Sequence, residues 1–237
     1  MKRDRSKDAS RSAAELMAEL NADPDYVAGM RQRERQQTEN VKNYRQDAEP
    51  VLQELAASGF KVQSLGELRQ TGIEYPAAIP ILVRWLPKIE NAQVKEDLVR
   101  TLSVPWAAPE AVPALLSEFK RTDGQQSEGL RWAIANGLAV TADDAAFDQL
   151  AALATDRKYG KAREMLTLAL GNCHDPRAVD VLIMLLADEQ VVGHAVIALG
   201  KLKPSAARSL IQELLKHPTN WVRSEAIKAL AAIDDLP

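Results

Sequence analysis

Cys173, His174 and Asp175 are consecutive in "GNCHDP" and bring together a thiol, an imidazole and a carboxylate. Such a set could ligate a metal or pair a nucleophile with a base, provided that the backbone turned all three toward one point. Consecutive residues at a helix end diverge instead, so no metal centre is expected here. His194 stands inside a helical pattern. His217 precedes Pro218 at a helix end, where an imidazolium suits the helix dipole. Cys173 falls in register with Leu202 and Ile233 of later segments, which reads as a buried, unreactive thiol. No glycine-rich phosphate loop, serine or cysteine nucleophile motif, or HExxH sequence is present. The expectation is a protein without catalytic residues, metal or cofactor.

The elements that would position any site are helical. Ala and Leu abound, only 5% of the 237 residues are aromatic, and glycines and prolines fall mainly between periodic segments. A 46% apolar content is ample for a core. Thirty basic residues nearly balance 33 acidic ones, so no global field draws the chain to nucleic acid or to an anionic membrane. The single cysteine rules out an internal disulfide framework and fits a reducing compartment. No secretory signal or stretch able to cross a bilayer is read in the sequence, which makes the cytoplasm the expected location.

Residues 1–22 read as a flexible N-terminal segment with a short amphipathic piece, and 23–75 as a helical cap. Asp23 is placed to cap a helix whose first residue is Pro24. "RQRERQQTEN" is polar on every face, as in a solvated helix or arm. Pro50 is expected to break or kink this helix, and Gly59 to close it.

From residue 76 to 237 the pattern becomes regular. Segments at 76–89, 108–121, 144–155, 176–187 and 205–216 each precede an alanine-rich segment at 93–104, 129–140, 160–173, 191–202 and 221–233. One leucine anchors the second segments: Leu102, Leu138, Leu170, Leu199 and Leu230, spaced 36, 32, 29 and 31 residues apart. Two helices per period of that length imply an all-α fold, an α-solenoid of about five helix pairs. "AREMLTLALGNC", "VVGHAVIALGKL" and "VRSEAIKALAAI" resemble the second helix of a HEAT or HEAT-like repeat, and the chain is similar to bacterial HEAT-repeat proteins. The resemblance implies a fold and a binding surface without specifying a reaction.

Numbering each second helix from Val94, Leu130, Ala162, Val191 and Val222, positions 1, 5, 8, 9 and 12 converge on a core face at 100° per residue. Position 10 is always small (Ser103, Ala139, Gly171, Gly200, Ala231), as close backbone approach requires. Position 2 is Lys95, Arg131, Arg163, Val192 and Arg223, and the preceding turns supply Asn91, Asp123, Asp156, Asp188 and Asn220. This pairing resembles the Asp and Arg ladder of HEAT-like repeats. A strip of cations reading phosphate is the other interpretation.

Positions 3 and 7 point away from the core, toward the surface that is usually concave. Trp132, Leu168 and Ile197 form an apolar centre there, flanked by Glu96, Arg100, Glu164 and Lys228. An aromatic anchor with a charged rim suits another protein or peptide segment. The expected function is a non-enzymatic scaffold or adaptor, in bacterial form an immunity or regulatory protein capping a toxin or enzyme. The alternative is nucleic-acid binding of the HEAT-like DNA glycosylase type, whose concave Trp and Asp Trp132 and Glu164 faintly resemble. Residues 106–237 carry 14 basic and 17 acidic residues, which disfavours it. Bilin lyases share similar repeats, without a motif that ties them to this chain. The oligomeric state is not legible.

Overall fold

The computed structural model describes residues 12–123 and 128–235, and among these there is no strand. The expected N-terminal segment lies outside them over residues 1–11, as does the end of the "AIDDLP" tail at 236–237. Two compact units divide the chain, Met1–Gln46 and Asp47–Pro237.

In the first unit, α1 spans Ala13–Ala22 and opens with a capping box: Ser12 accepts from the Glu15 amide, and Glu15 accepts from the Ser12 amide at 2.9 Å. Asp23 caps α2 (Pro24–Ala57), accepting from the Asp25 amide at 2.9 Å. Residues 31–39 are helical and exposed, as their polarity requires. Of the two outcomes expected at Pro50, a break does not occur: α2 runs through it to Ala57.

The second unit begins inside α2, where Ala48, Val51 and Leu55 are buried. Gly59, at φ 97°, closes the helix in a Schellman arrangement: the Gly59 amide reaches the Ala56 carbonyl and the Phe60 amide the Leu55 carbonyl. A short α3 (Leu65–Gln70) follows; from it Arg69 reaches Asp97 at 2.9 Å and Thr101 at 2.8 Å.

Five helix pairs come next. The first helices are α4 (Ile79–Trp85), α6 (Ala111–Arg121), α8 (Phe147–Thr155), α10 (Arg177–Leu185) and α12 (Arg208–Glu213). Their partners are α5 (Ala92–Leu102), α7 (Glu128–Thr141), α9 (Ala162–Leu170), α11 (Val192–Leu202) and α13 (Asn220–Asp234). The second helices pack on one another in chain order and make a continuous layer, with the first helices behind it. This is an α-solenoid. Its core matches the repeat register: Leu98, Ile134, Leu166, Ala195 and Ala226 at position 5 are all buried.

Small residues set the spacing of the layer. A Cβ built on Gly171 would stand 2.9 Å from both Cα and Cβ of Ala198, and one on Gly200 would stand 2.9 Å from Cβ of Ala229. At the first junction the sizes are exchanged, Ser103 at position 10 facing Gly137 at position 8; a Cβ on Gly137 would lie 2.8 Å from the serine oxygen. Position 10 of one repeat thus meets position 8 of the next, and the two cannot both be large. Position 6 is a second stacking position: Val99, Ala135, Thr167 and Val196 are buried, while Ile227 of α13 is 61% exposed.

Candidate functional site

The position-2 side chains are bonded within the fold. Lys95 donates to Glu118 of α6 at 2.6 Å, and both are buried. Arg163, 1% exposed, donates to Asp188 at 2.8 Å and to the Ala154 carbonyl at 2.7 Å. Arg223 donates to the carbonyls of His217 and Pro218 and to Asn220. Arg131 donates to the Thr122 carbonyl. Of the expected ladder, only Arg163 meets a turn residue of the next repeat; Lys95 crosses to Glu118 instead, and Arg131 and Arg223 bind the turns before their own helices.

The chemistry-bearing residues stay apart. Cys173 is buried, and burial together with Asp144, Asp143 and Asp175 pushes its thiol up to about 11, away from a reactive thiolate. His174 is exposed on the surface, near Asp144. His217 caps its own turn, its Nδ1 accepting from the Thr219 amide at 3.1 Å. Among the described residues no group of three His, Cys, Asp or Glu side chains could hold a metal ion.

The outer face of the second-helix layer carries the seven residues singled out from the sequence. Trp132 on α7 is 40% exposed, so it is not packed away between repeats. Leu168 on α9 and Ile197 on α11 are half-buried. Glu96 and Arg100 satisfy each other across one turn of α5 at 2.5 Å, and Lys228 pairs with Glu225 at 2.7 Å. Glu164 is half-buried, and burial lifts its carboxyl above the ordinary value, with Lys161 pulling partly back. The fold brings Ile197 and Lys228 together: with Gly200, Glu225, Ala229 and Ala232 they line a hollow of about 200 Å³ between α11 and α13. Glu96 and Arg100, on α5, are not part of that hollow.

Sequence reasoning missed Trp221. It precedes the numbered positions of α13 by one residue, yet at 100° per residue that place shares the face of positions 3, 4 and 7. Its ring occupies the space above Gly193 and lies 5.0 Å from the His194 ring, while 43% of Trp221 remains exposed. The available signal was Gly193 itself, the only residue without a side chain at position 3.

Stacked helix pairs, a small-residue ladder and inter-repeat ion pairs define an α-solenoid of the HEAT type. The comparisons agree: the family model described as HEAT repeats matches residues 187–237, and the PBS lyase HEAT-like repeat matches residues 162–188. Residues 162–237 thus consist of HEAT-type repeats, and the helix pairs before them continue the same α-solenoid. No curated protein and no solved structure matches the chain. HEAT repeats commonly serve as helical scaffolds for protein–protein interaction. No helix among the described residues is long and apolar enough to cross a membrane.

Proposed function

We propose that the protein is a non-enzymatic scaffold that takes a protein or peptide segment across the outer face of its second helices. Trp132 anchors the segment, Leu168 and Ile197 extend the apolar centre, and Glu96, Arg100, Glu164 and Lys228 orient it. The observation that carries this reading is the exposure of Trp132 on a layer whose other large apolar repeat positions are mostly covered. A second open indole, Trp221, and the hollow beside Ile197 support it. A tryptophan anchor with a charged surround concentrates binding energy at the centre and leaves specificity to the rim. The solitary Cys173 agrees with work in a reducing cytoplasm, and a bacterial immunity or regulatory protein is the concrete form proposed. Nucleic-acid binding of the glycosylase-like type is less well supported, because three of the four position-2 cations, Lys95, Arg163 and Arg223, are bonded internally.

The test is affinity capture from native lysate with the intact protein and Trp132→Ala side by side, half of each sample treated with nuclease. A protein recovered by the intact form alone, with nuclease without effect and thermal stability unchanged, supports the reading. Equal recovery by both forms, or partners lost on nuclease treatment, overturns it.

A further inference from the structure

The inter-repeat ladder has a gap, and the gap is cationic. At two junctions the position-2 cation reaches forward into the next repeat, Lys95 to Glu118 at 2.6 Å and Arg163 to Asp188 at 2.8 Å. At the junction between the second and third repeats the equivalent reach would bring Arg131 to Asp156, the counterpart of Asp188. Asp156 is turned elsewhere: it accepts from the Lys158 amide at 3.2 Å and pairs with the Lys158 ammonium at 2.9 Å. The Arg131 guanidinium folds back on the Thr122 carbonyl and lies 5.7 Å from the Tyr159 ring.

Where that rung is missing there is a hollow of about 360 Å³ lined by Lys120, Thr122, Asp123, Arg131, Lys158 and Tyr159. Three cations face one carboxylate in this lining. Asp123 is fully open to water and 3.8 Å from Arg131, so its attraction is screened. Asp156 holds Lys158 from outside the lining and lowers the surplus of positive charge without removing it. Lys120 donates to Gln149 at 2.6 Å, which leaves two of its ammonium protons uncommitted by that bond. Arg131 is 11% exposed, and among the described residues its Nε has no hydrogen-bond partner. A nearly buried guanidinium with a donor unspent, flanked by two ammonium groups and a phenol, is the arrangement that receives an oxyanion.

We propose that this hollow is a binding site for a phosphate-type oxyanion, with Lys120, Arg131 and Lys158 as its charged donors and Tyr159 as its aromatic wall. The site completes electrostatically the rung that Asp156 vacates. It is independent of the outer face on which the proposed protein partner lies.

Amide chemical shifts of the intact protein, titrated with inorganic phosphate and then with phenyl phosphate at matched ionic strength against sodium chloride, test the site. Saturable shifts at Arg131, Lys158 and Tyr159, weakened at least tenfold in the Lys120→Met/Lys158→Met double variant, are the expected result. Phenyl phosphate binding about tenfold tighter than inorganic phosphate marks an organic phosphate as the ligand, and equal binding marks the free anion. Unchanged amide positions elsewhere in the double variant establish that it is folded, and Lys88→Met, whose ammonium lies over Trp85, serves as a charge control. Shifts that do not saturate, that match those of chloride, or that persist in the double variant overturn the proposal.

Discussion

Gly193 of α11 makes room for Trp221 of α13: a Cβ on the glycine would stand 2.1 Å from Cζ3 of the indole and 2.5 Å from Cη2. The missing side chain in one repeat and the largest side chain in the next are therefore a single packing unit. Gly193→Ala should cost about 1–3 kcal/mol by overpacking. In a Trp221→Ala background the same change should cost nothing or stabilise by up to ~1 kcal/mol through helix propensity. Urea denaturation of the four proteins measures the coupling, and additive effects would show that the two residues do not share the space.

Gly171 and Gly200 meet backbone rather than a flexible side-chain tip, so the neighbouring helix must move if either gains a Cβ. Gly171→Ala and Gly200→Ala are each expected to lower stability by about 1–3 kcal/mol. Gly129 has nothing within 4 Å, so Gly129→Ala is expected to be neutral or stabilising by up to ~1 kcal/mol. Unfolding midpoints of the three variants check the contrast; a uniform response would mean that repeat spacing does not depend on the small-residue ladder.

Lys95 and Glu118 are both buried, with Arg121 standing 3.6 Å from the second carboxylate oxygen. Lys95→Met should destabilise by about 3–5 kcal/mol, because Glu118 keeps its burial and loses its nearest partner. Replacing both, as Lys95→Met with Glu118→Leu, should recover most of the loss. The comparison is read from denaturant midpoints; a double variant no better than the single one would assign Lys95 a packing role instead of a charge role.

His194 is largely covered by protein, and its Nδ1 has no partner among the described residues. Burial pushes its imidazole below the ordinary value of 6.5. Between the depressed folded value and 6.5, the unfolded chain binds a proton that the folded chain refuses. The stability owed to neutral His194 is therefore complete above pH 6.5 and declines as the pH falls below it. The urea midpoint should drop between pH 7.5 and pH 5.5, and by less in His194→Gln. Equal drops in both proteins would assign the pH dependence to other groups.

The repeat architecture was legible in the chain because it rests on local periodicity. The leucine anchors, the small position 10 and the Asp23 and Gly59 caps each follow from helix geometry within one segment, and the five pairs lie where that geometry places them. At Pro50 the sequence left a break and a kink open, because the helix-breaking tendency is local; that α2 continues through it was decided by the structure. What only the tertiary structure decided were relations between repeats. Position 8 proved to be the partner of position 10, position 6 became core through stacking, and Trp221 joined the outer face by filling the space over Gly193. The same holds for Arg131, whose sequence position predicts a ladder rung: like Arg163 it bonds the carbonyl nine residues before it, but it makes no forward rung to Asp156, which pairs with Lys158 instead. A residue's helical face follows from its number in the chain, whereas what covers that face depends on the side chains of the neighbouring repeat, about 30 residues away.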